Sequence, residues 1–270
     1  MVSFAVVGYP GKGKSTSIFP NEKAGIMGLP PEKTVYVSCA GPAKRIQFPN
    51  WRNVFDAEKS IKEGGRYSAQ NDPIVVAGII KYVATSRKDI NYIVIDDANL
   101  VMADKVLNRY NSKNKSVSKM DFADWDELSV TTYQMFKVLD DIVENPELNR
   151  PDLFVIYTFH LIAKNNFSTG ESSHVIATSG QSLNNTKPIA SIFDIILVAN
   201  THFNVLQNKT INTFEYVKFG DTPARCPLGM FDNVQLPKSF VDSVSPVEGK
   251  IPNDLGLVVK AIAEYDGIIL

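Results

Sequence analysis

The chain has 270 residues, 44% of them hydrophobic and 21% charged, with a formal net charge of -1. That apolar content can build a packed core and excludes a mainly disordered chain, while the charge excludes a broadly basic surface but would hide a local basic groove. Two cysteines, Cys39 and Cys226, and three scattered histidines, His160, His174 and His202, form neither a disulfide framework nor a zinc-binding spacing.

The first informative stretch is Val2-Ser3-Phe4-Ala5-Val6-Val7, an apolar run expected as a buried strand. It leads into Gly8-Tyr9-Pro10-Gly11-Lys12-Gly13-Lys14-Ser15-Thr16. This fits the phosphate-binding pattern G-x-x-x-x-G-K-[ST], with a helix expected from about Lys14 onward. Gly8, Gly11 and Gly13 let the backbone approach a polyphosphate, whose oxygens would meet main-chain N–H groups and the positive end of the helix. Lys14 would reach the β- and γ-phosphates, Ser15 would ligate Mg²⁺, and Thr16 would sit near the α-phosphate. The competing reading is an ordinary glycine-rich turn, against which the strand-to-helix context argues. No basic leader precedes the run and Pro10 ends it, so neither a signal peptide nor a membrane helix is expected, and a reducing cytoplasm suits the cysteine usage.

Thr34-Val35-Tyr36-Val37-Ser38 reads as a second strand. Residues 41–73 are rich in Pro, Gly and charge, an irregular stretch with at most a short helix at 57–63. Pro73 opens a helix with Ile74, Ala77, Ile80, Val83 and Ala84 at helical spacing. Asn91-Tyr92-Ile93-Val94-Ile95-Asp96-Asp97 then describes a buried strand ending in two carboxylates. Asp96 is suited to hold Mg²⁺ and Asp97 to polarise an attacking water, or else Asp97 caps the helix expected near Leu100.

Residues 108–120 are polar and basic and read as a loop. A helix follows with Trp125, Leu128, Val130, Tyr133, Phe136, Val138 and Leu139 on its apolar face, closed by Pro146 and Pro151. Residues 152–160 form another strand with a polar tip, Thr158 or His160. Leu161 to Pro188 is loop-like, and Ile192–Ala199 returns to the core. A β-hairpin is expected around a turn at Gln207-Asn208-Lys209, then an extended wrap over 221–253. Asn253-Asp254 caps a final helix containing Leu255, Val258, Val259, Ile262 and Tyr265. No linker divides the chain, so one domain is expected, with its core over about 1–200 and the hairpin and wrap over about 201–270.

Together these elements resemble the RecA-like P-loop ATPase core, an α/β fold with a central, mostly parallel sheet, here with a C-terminal β-hairpin and helix. More narrowly, Ile95-Asp96-Asp97 with Leu100-Val101-Met102-Ala103-Asp104, Ala224-Arg225-Cys226-Pro227-Leu228-Gly229-Met230-Phe231 and Ile251-Pro252-Asn253-Asp254-Leu255 resemble ATP-binding proteins of tailed bacteriophages, the group containing RecA-like single-strand annealing ATPases. The resemblance implies ATP and Mg²⁺ as cofactors. It implies nucleotide binding by Gly8, Pro10, Gly11, Lys12, Gly13, Lys14, Ser15 and Thr16, and metal binding by Ser15 and Asp96. Asp97, Lys14 and His160 would be catalytic, His160 or Thr158 sensing the γ-phosphate, although a plain hydrogen-bonded histidine fits as well. Self-assembly and a site in the host cytoplasm would follow.

Three departures qualify it. RecA-like recombinases place a Glu at the end of the second strand, where this chain has Ser38-Cys39; the polar set after the sensor strand is replaced by Leu161-Ile162; and Gln181 stands where a Lys is common. Single-stranded DNA would engage Arg109, Tyr110, Lys113, Lys115, Lys119, Lys164 and Phe167 through loops 108–120 and 161–187, which are otherwise merely solvated. The two leading functions are therefore a phage ATPase of DNA recombination, annealing or replication, and a nucleotide-gated interaction module resembling a helicase loader, with slow or no hydrolysis. A small-molecule kinase fits less well, because the loops lack the arginines of a lid.

Overall fold

The computed structural model describes residues 1–39, 67–68, 73–103, 106, 120–165, 172–177, 188–204, 208–244 and 246–270. Among these, nine strands form one mixed sheet. They are β1 (Val2–Gly8), β2 (Thr34–Ser38), β3 (Tyr67–Ser68), β4 (Tyr92–Asp96), β5 (Phe154–Asn165), β6 (Ser172–Ile176), β7 (Ile196–Asn204), β8 (Lys209–Glu215) and β9 (Lys250–Pro252). The strands hydrogen-bond in the order β3-β2-β4-β5-β1-β7-β8-β9, with β6 on β5. Pairing is parallel for β2 with β3, β2 with β4, β4 with β5 and β1 with β7, and antiparallel for the ribbons β5–β6 and β7–β8–β9. The fold is thus α/β with a mostly parallel central sheet.

Contacts group the chain into two compact units. In the first (Met1–Ser3, Pro31–Tyr157, Ala177–Ile192), β2, β4 and the start of β5 read as unbroken apolar runs because both faces are covered. Helices α1 (Pro73–Ser86) and α2 (Phe122–Glu144) pack on each other there. The buried face of α1 is Val76, Ile79, Ile80, Val83 and Ala84, whereas Ile74 is exposed. Likewise α2 buries Leu128, Met135, Phe136, Val138, Leu139 and Ile142 and leaves Val130 in solvent, so both expected stripes were partly out of phase. An Asp121–Asp124 capping box starts α2, and Tyr157 Oη donates to Met135 O at 2.9 Å beneath it. Burial raises the Tyr157 phenol far above its ordinary range, which keeps it a neutral donor.

The second unit comprises Phe4–Pro30, Thr158–Ile176 and Phe193–Leu270. Residues 161–176 are not a plain loop. β5 runs on to Asn165 and pairs with β6 in the register Ala163↔His174, because Leu161 and Ile176 are buried on one side while Ile162 faces solvent. The expected hairpin also forms differently, since its first arm is the end of β7 itself, and β8 is covered by β9 rather than left as an edge. The proline-rich wrap holds one short helix, α3 (Lys238–Val241). Helix α4 (Leu255–Asp266) opens on Asp254, whose carboxylate accepts from Gly256 N and Leu257 N, and ends at Gly267 with φ +68°. No helix of the described residues is long and apolar enough to cross a membrane.

Candidate functional site

β1 delivers the phosphate-loop motif directly from the core: Phe4, Ala5, Val6 and Val7 are fully buried. At Gly8 a Cβ would lie 2.7 Å from Ala199 O, so only glycine lets β1 approach β7 this closely. Gly11 and Gly13 then take φ of +77° and +84°, the left-handed region a glycine enters without strain. Within the loop, Lys12 N donates to Tyr9 O (3.3 Å), Ser17 N and Thr16 Oγ1 donate to Gly13 O (3.1 and 2.9 Å), and Ser17 Oγ donates to Lys14 O (2.6 Å).

The helix expected from Lys14 does not form. A single 3₁₀ turn, Ser15–Ser17, follows the loop, and the chain then turns away through Phe19 and Pro20. Pro20 has no N–H for a helical bond and disfavours helical backbone at Phe19 before it. One turn cannot sum peptide dipoles as a long helix does. Attraction for an anion at this loop must therefore come from local amides and the lysines.

Lys14 is 5% exposed. Its ammonium donates to Gly8 O at 3.0 Å and Tyr9 O at 3.2 Å and lies 3.3 Å from His160 Nδ1. An ammonium can only donate, so Nδ1 faces it as an acceptor. Of the two polar groups expected at the tip of this strand, His160 lies beside Lys14 and Thr158 is fully buried. Lys12 Nζ turns instead to Thr201 Oγ1 at 2.6 Å, and the Tyr9 ring meets the His174 ring edge-on at 5.9 Å.

In the first unit, β4 ends on Asp96, 5% exposed, whose Oδ2 accepts from Tyr36 Oη at 2.5 Å and whose carbonyl accepts from Cys39 N at 3.0 Å. A buried carboxylate oriented by a phenol is a hard oxygen ligand of the kind Mg²⁺ takes. Asp97 has φ +56°, a conformation aspartate tolerates better than most residues, and helical backbone follows over 98–103. Asp97 directly precedes those helical residues and its carbonyl accepts from Leu100 N at 2.8 Å, so the capping and water-polarising readings both remain open. Ser38 pairs with Asp96 in register and is buried with Cys39, so the end of β2 offers no carboxylate.

Of the nucleic-acid candidates, Lys164 is exposed on β5 opposite Ser173. Arg109, Tyr110, Lys113, Lys115, Lys119 and Phe167 lie outside the described residues, as does Gln181. Sequence reasoning missed the groups around the loop that come from the C-terminal third. Thr201, Asn212 and Asn253 all approach residues 12–13, and Asp254, read only as a helix cap, also accepts from Met27 N (2.7 Å) and Gly28 N (2.9 Å). The one available signal was the Asn253-Asp254 pair itself.

No known family model matches the chain, and no curated protein matches it. Among solved structures it is similar to a KaiC-like protein from the hyperthermophilic archaeon Pyrococcus horikoshii OT3. Identity is 14%, the match covers 79% of this chain and 77% of that one, and the TM-score is 0.35. A likeness that loose carries no argument about chemistry, and the site has to be read from its own residues.

Proposed function

We propose that the chain is a RecA-like P-loop protein that binds ATP·Mg²⁺ through residues 8–16. The observation that carries this reading is the loop between β1 and the Ser15 turn, with two left-handed glycines and a buried Lys14 whose ammonium donates to the Gly8 and Tyr9 carbonyls and lies beside His160 Nδ1. Main-chain N–H groups of Gly11, Lys12 and Gly13, with Pro10 fixing the turn, cradle the phosphates. Lys14 exchanges a carbonyl partner for a phosphate oxygen, and Thr16 lies beside the α-phosphate. Mg²⁺, once bound, neutralises the charge that develops on the phosphoryl oxygens. Ser15 and Asp96 would hold it, and Tyr36 fixes the Asp96 carboxylate for the purpose. Asp97 orients the water, and His160 registers the γ-phosphate through Lys14.

The finer reading is an oligomeric phage ATPase of recombination, annealing or replication that engages single-stranded DNA. The motifs over 95–104, 224–231 and 251–255 support it, as does the exposed Lys164 on the β5–β6 ribbon. A salt-titrated binding assay with labelled single strands tests it: affinity that rises with strand length and falls with salt is expected in the presence of ATP. No length dependence at low salt would remove the DNA role.

Slow hydrolysis has its own support, because β2 ends on Ser38 where a recombinase would present a Glu. A nucleotide-gated interaction module follows from that observation. Turnover near background with DNA present, together with tight ATP binding, would select it. For the metal, Asp96→Asn should remove the Mg²⁺ dependence of ATP affinity, and an unchanged Mg²⁺ dependence would strike Asp96 from the site.

A further inference from the structure

The loop that the proposed function relies on lacks the helix that ordinarily steadies such a motif, and other groups take over the task. Residue 12 is held at three points. Its N–H donates to Tyr9 O, its ammonium donates to Thr201 Oγ1 at 2.6 Å, and its carbonyl faces Asn253 Nδ2 at 3.5 Å. A carbonyl can only accept, so the amide of Asn253 must turn its nitrogen toward Lys12. Its Oδ1 is then buried without a partner among the described residues, in a side chain only 5% exposed. An unsatisfied buried oxygen is destabilising, so this orientation is retained against a cost.

The neighbouring contacts act on the same segment. Asn253 N donates to Asn212 O (3.4 Å), and a Cβ on Gly13 would stand 3.0 Å from Asn212 Nδ2, so the loop lies against the β8 side chain. Asp254 receives the N–H groups of Met27 and Gly28. Gly256 packs so closely that its Cβ would fall 2.2 Å from Gly28 O. Asn253 and Asp254, read from the sequence as a helix cap, therefore grip the start and the end of the segment 12–28.

We propose that Asn253, acting with Thr201 through Lys12, is a positioning residue that sets the phosphate loop in its anion-binding shape. The inference rests on the reading of residues 8–16 as a nucleotide site. Neither residue touches the nucleotide; they fix where the loop amides and Lys14 point.

The test titrates ATP·Mg²⁺ into the wild-type chain and into Asn253→Asp, Thr201→Val and Lys14→Ala, with melting temperatures recorded without nucleotide. An ionised aspartate cannot donate to Lys12 O, whereas a protonated one can. Asn253→Asp should bind ATP about tenfold more weakly than wild type near pH 8 and recover most of that deficit as the pH is lowered toward 5, because burial beside the Lys12 carbonyl raises the introduced carboxyl above its ordinary value of about 3.9. A merely structural lesion would lower the melting temperature without this pH-linked recovery of affinity. Thr201→Val, at a half-buried position that tolerates the change, should weaken binding by about three- to tenfold and covers the case in which Asn253→Asp does not fold.

Lys14→Ala without measurable binding, together with either of these losses, supports the inference. Lys14→Ala without binding but Asn253→Asp and Thr201→Val binding as wild type at both pH values overturns the inference and leaves the nucleotide site standing. Wild-type affinity in Lys14→Ala overturns both.

Discussion

The two compact units are stabilised by different means. In the first, β2, β4 and the start of β5 are apolar strands buried on both faces, and α1 and α2 bury apolar stripes against each other. In the second, the loop after β1 depends on directed polar bonds from Thr201, Asn253 and Asp254 and on glycines at close approaches. Non-directional burial tolerates volume-conserving exchange, whereas a loop shaped by single hydrogen bonds loses its geometry when one partner goes. The difference teaches where a change will be read as stability and where it will be read as binding.

The largest effect is expected from the apolar core. Phe154→Ala removes a fully buried ring and should destabilise by about 3–5 kcal/mol in denaturant titration. A loss below about 1 kcal/mol would break the first half of the comparison. Next comes Gly28→Ala. With φ +61° and a would-be Cβ 2.3 Å from Phe19 C and Pro20 N, it should cost about 3 kcal/mol and weaken ATP binding as well. Asp254→Ala deprives four N–H groups of their acceptor and should cost about 1–2 kcal/mol, with a larger proportional loss in nucleotide affinity than Phe154→Ala shows when both are assayed folded. Equal effects on affinity would erase the contrast between the units.

A smaller effect concerns pH. Burial lowers the proton affinity of His202 and Lys250 adds to this, while Glu215, 3.6 Å from Nε2, opposes it in part. The folded pKa thus lies below the ordinary value of 6.5, and on acidification the unfolded chain takes the proton first. Stability from this site is present above that ordinary value and is lost as pH falls through the lower folded one. His202→Gln should flatten the decline of melting temperature on the acid side, and an unchanged slope would exclude His202 as its source. The smallest effect sharpens the contrast from the other direction. Lys137 and Asp141 form a 2.5 Å pair on the exposed face of α2, and Lys137→Ala should leave the melting temperature unchanged.

What the sequence made legible follows the same division. β2 could be read to the residue and β4 to within one residue at each end because a strand covered on both faces is a plain apolar run with polar ends, and α4 could be read because Asp254 marks its start. Ile74 and Val130 were misassigned because one apolar residue off the stripe does not disturb a helical period. The missing helix after the loop was signalled by Pro20, but the motif outweighed that local cue. The β5–β6 ribbon was missed because Lys164, Ser172 and Ser173 dilute its alternation. For the candidate site, Lys14 was named by the motif and His160 by its place at a strand end. Thr201, Asn212 and Asn253 were not, because their role depends on β7, β8 and β9 coming beside β1, which no local pattern encodes.

The most direct test of the central claim is a calorimetric titration of ATP·Mg²⁺ into the wild-type chain and Lys14→Ala, with the folded state of each verified by its melting curve. Binding by the wild type and a loss of at least about a hundredfold in an equally stable Lys14→Ala is the expected result, since charged hydrogen bonds to two phosphates, each worth about 1.5–3 kcal/mol, are lost together. Equal affinities in the two proteins would contradict the assignment of residues 8–16 as the nucleotide site.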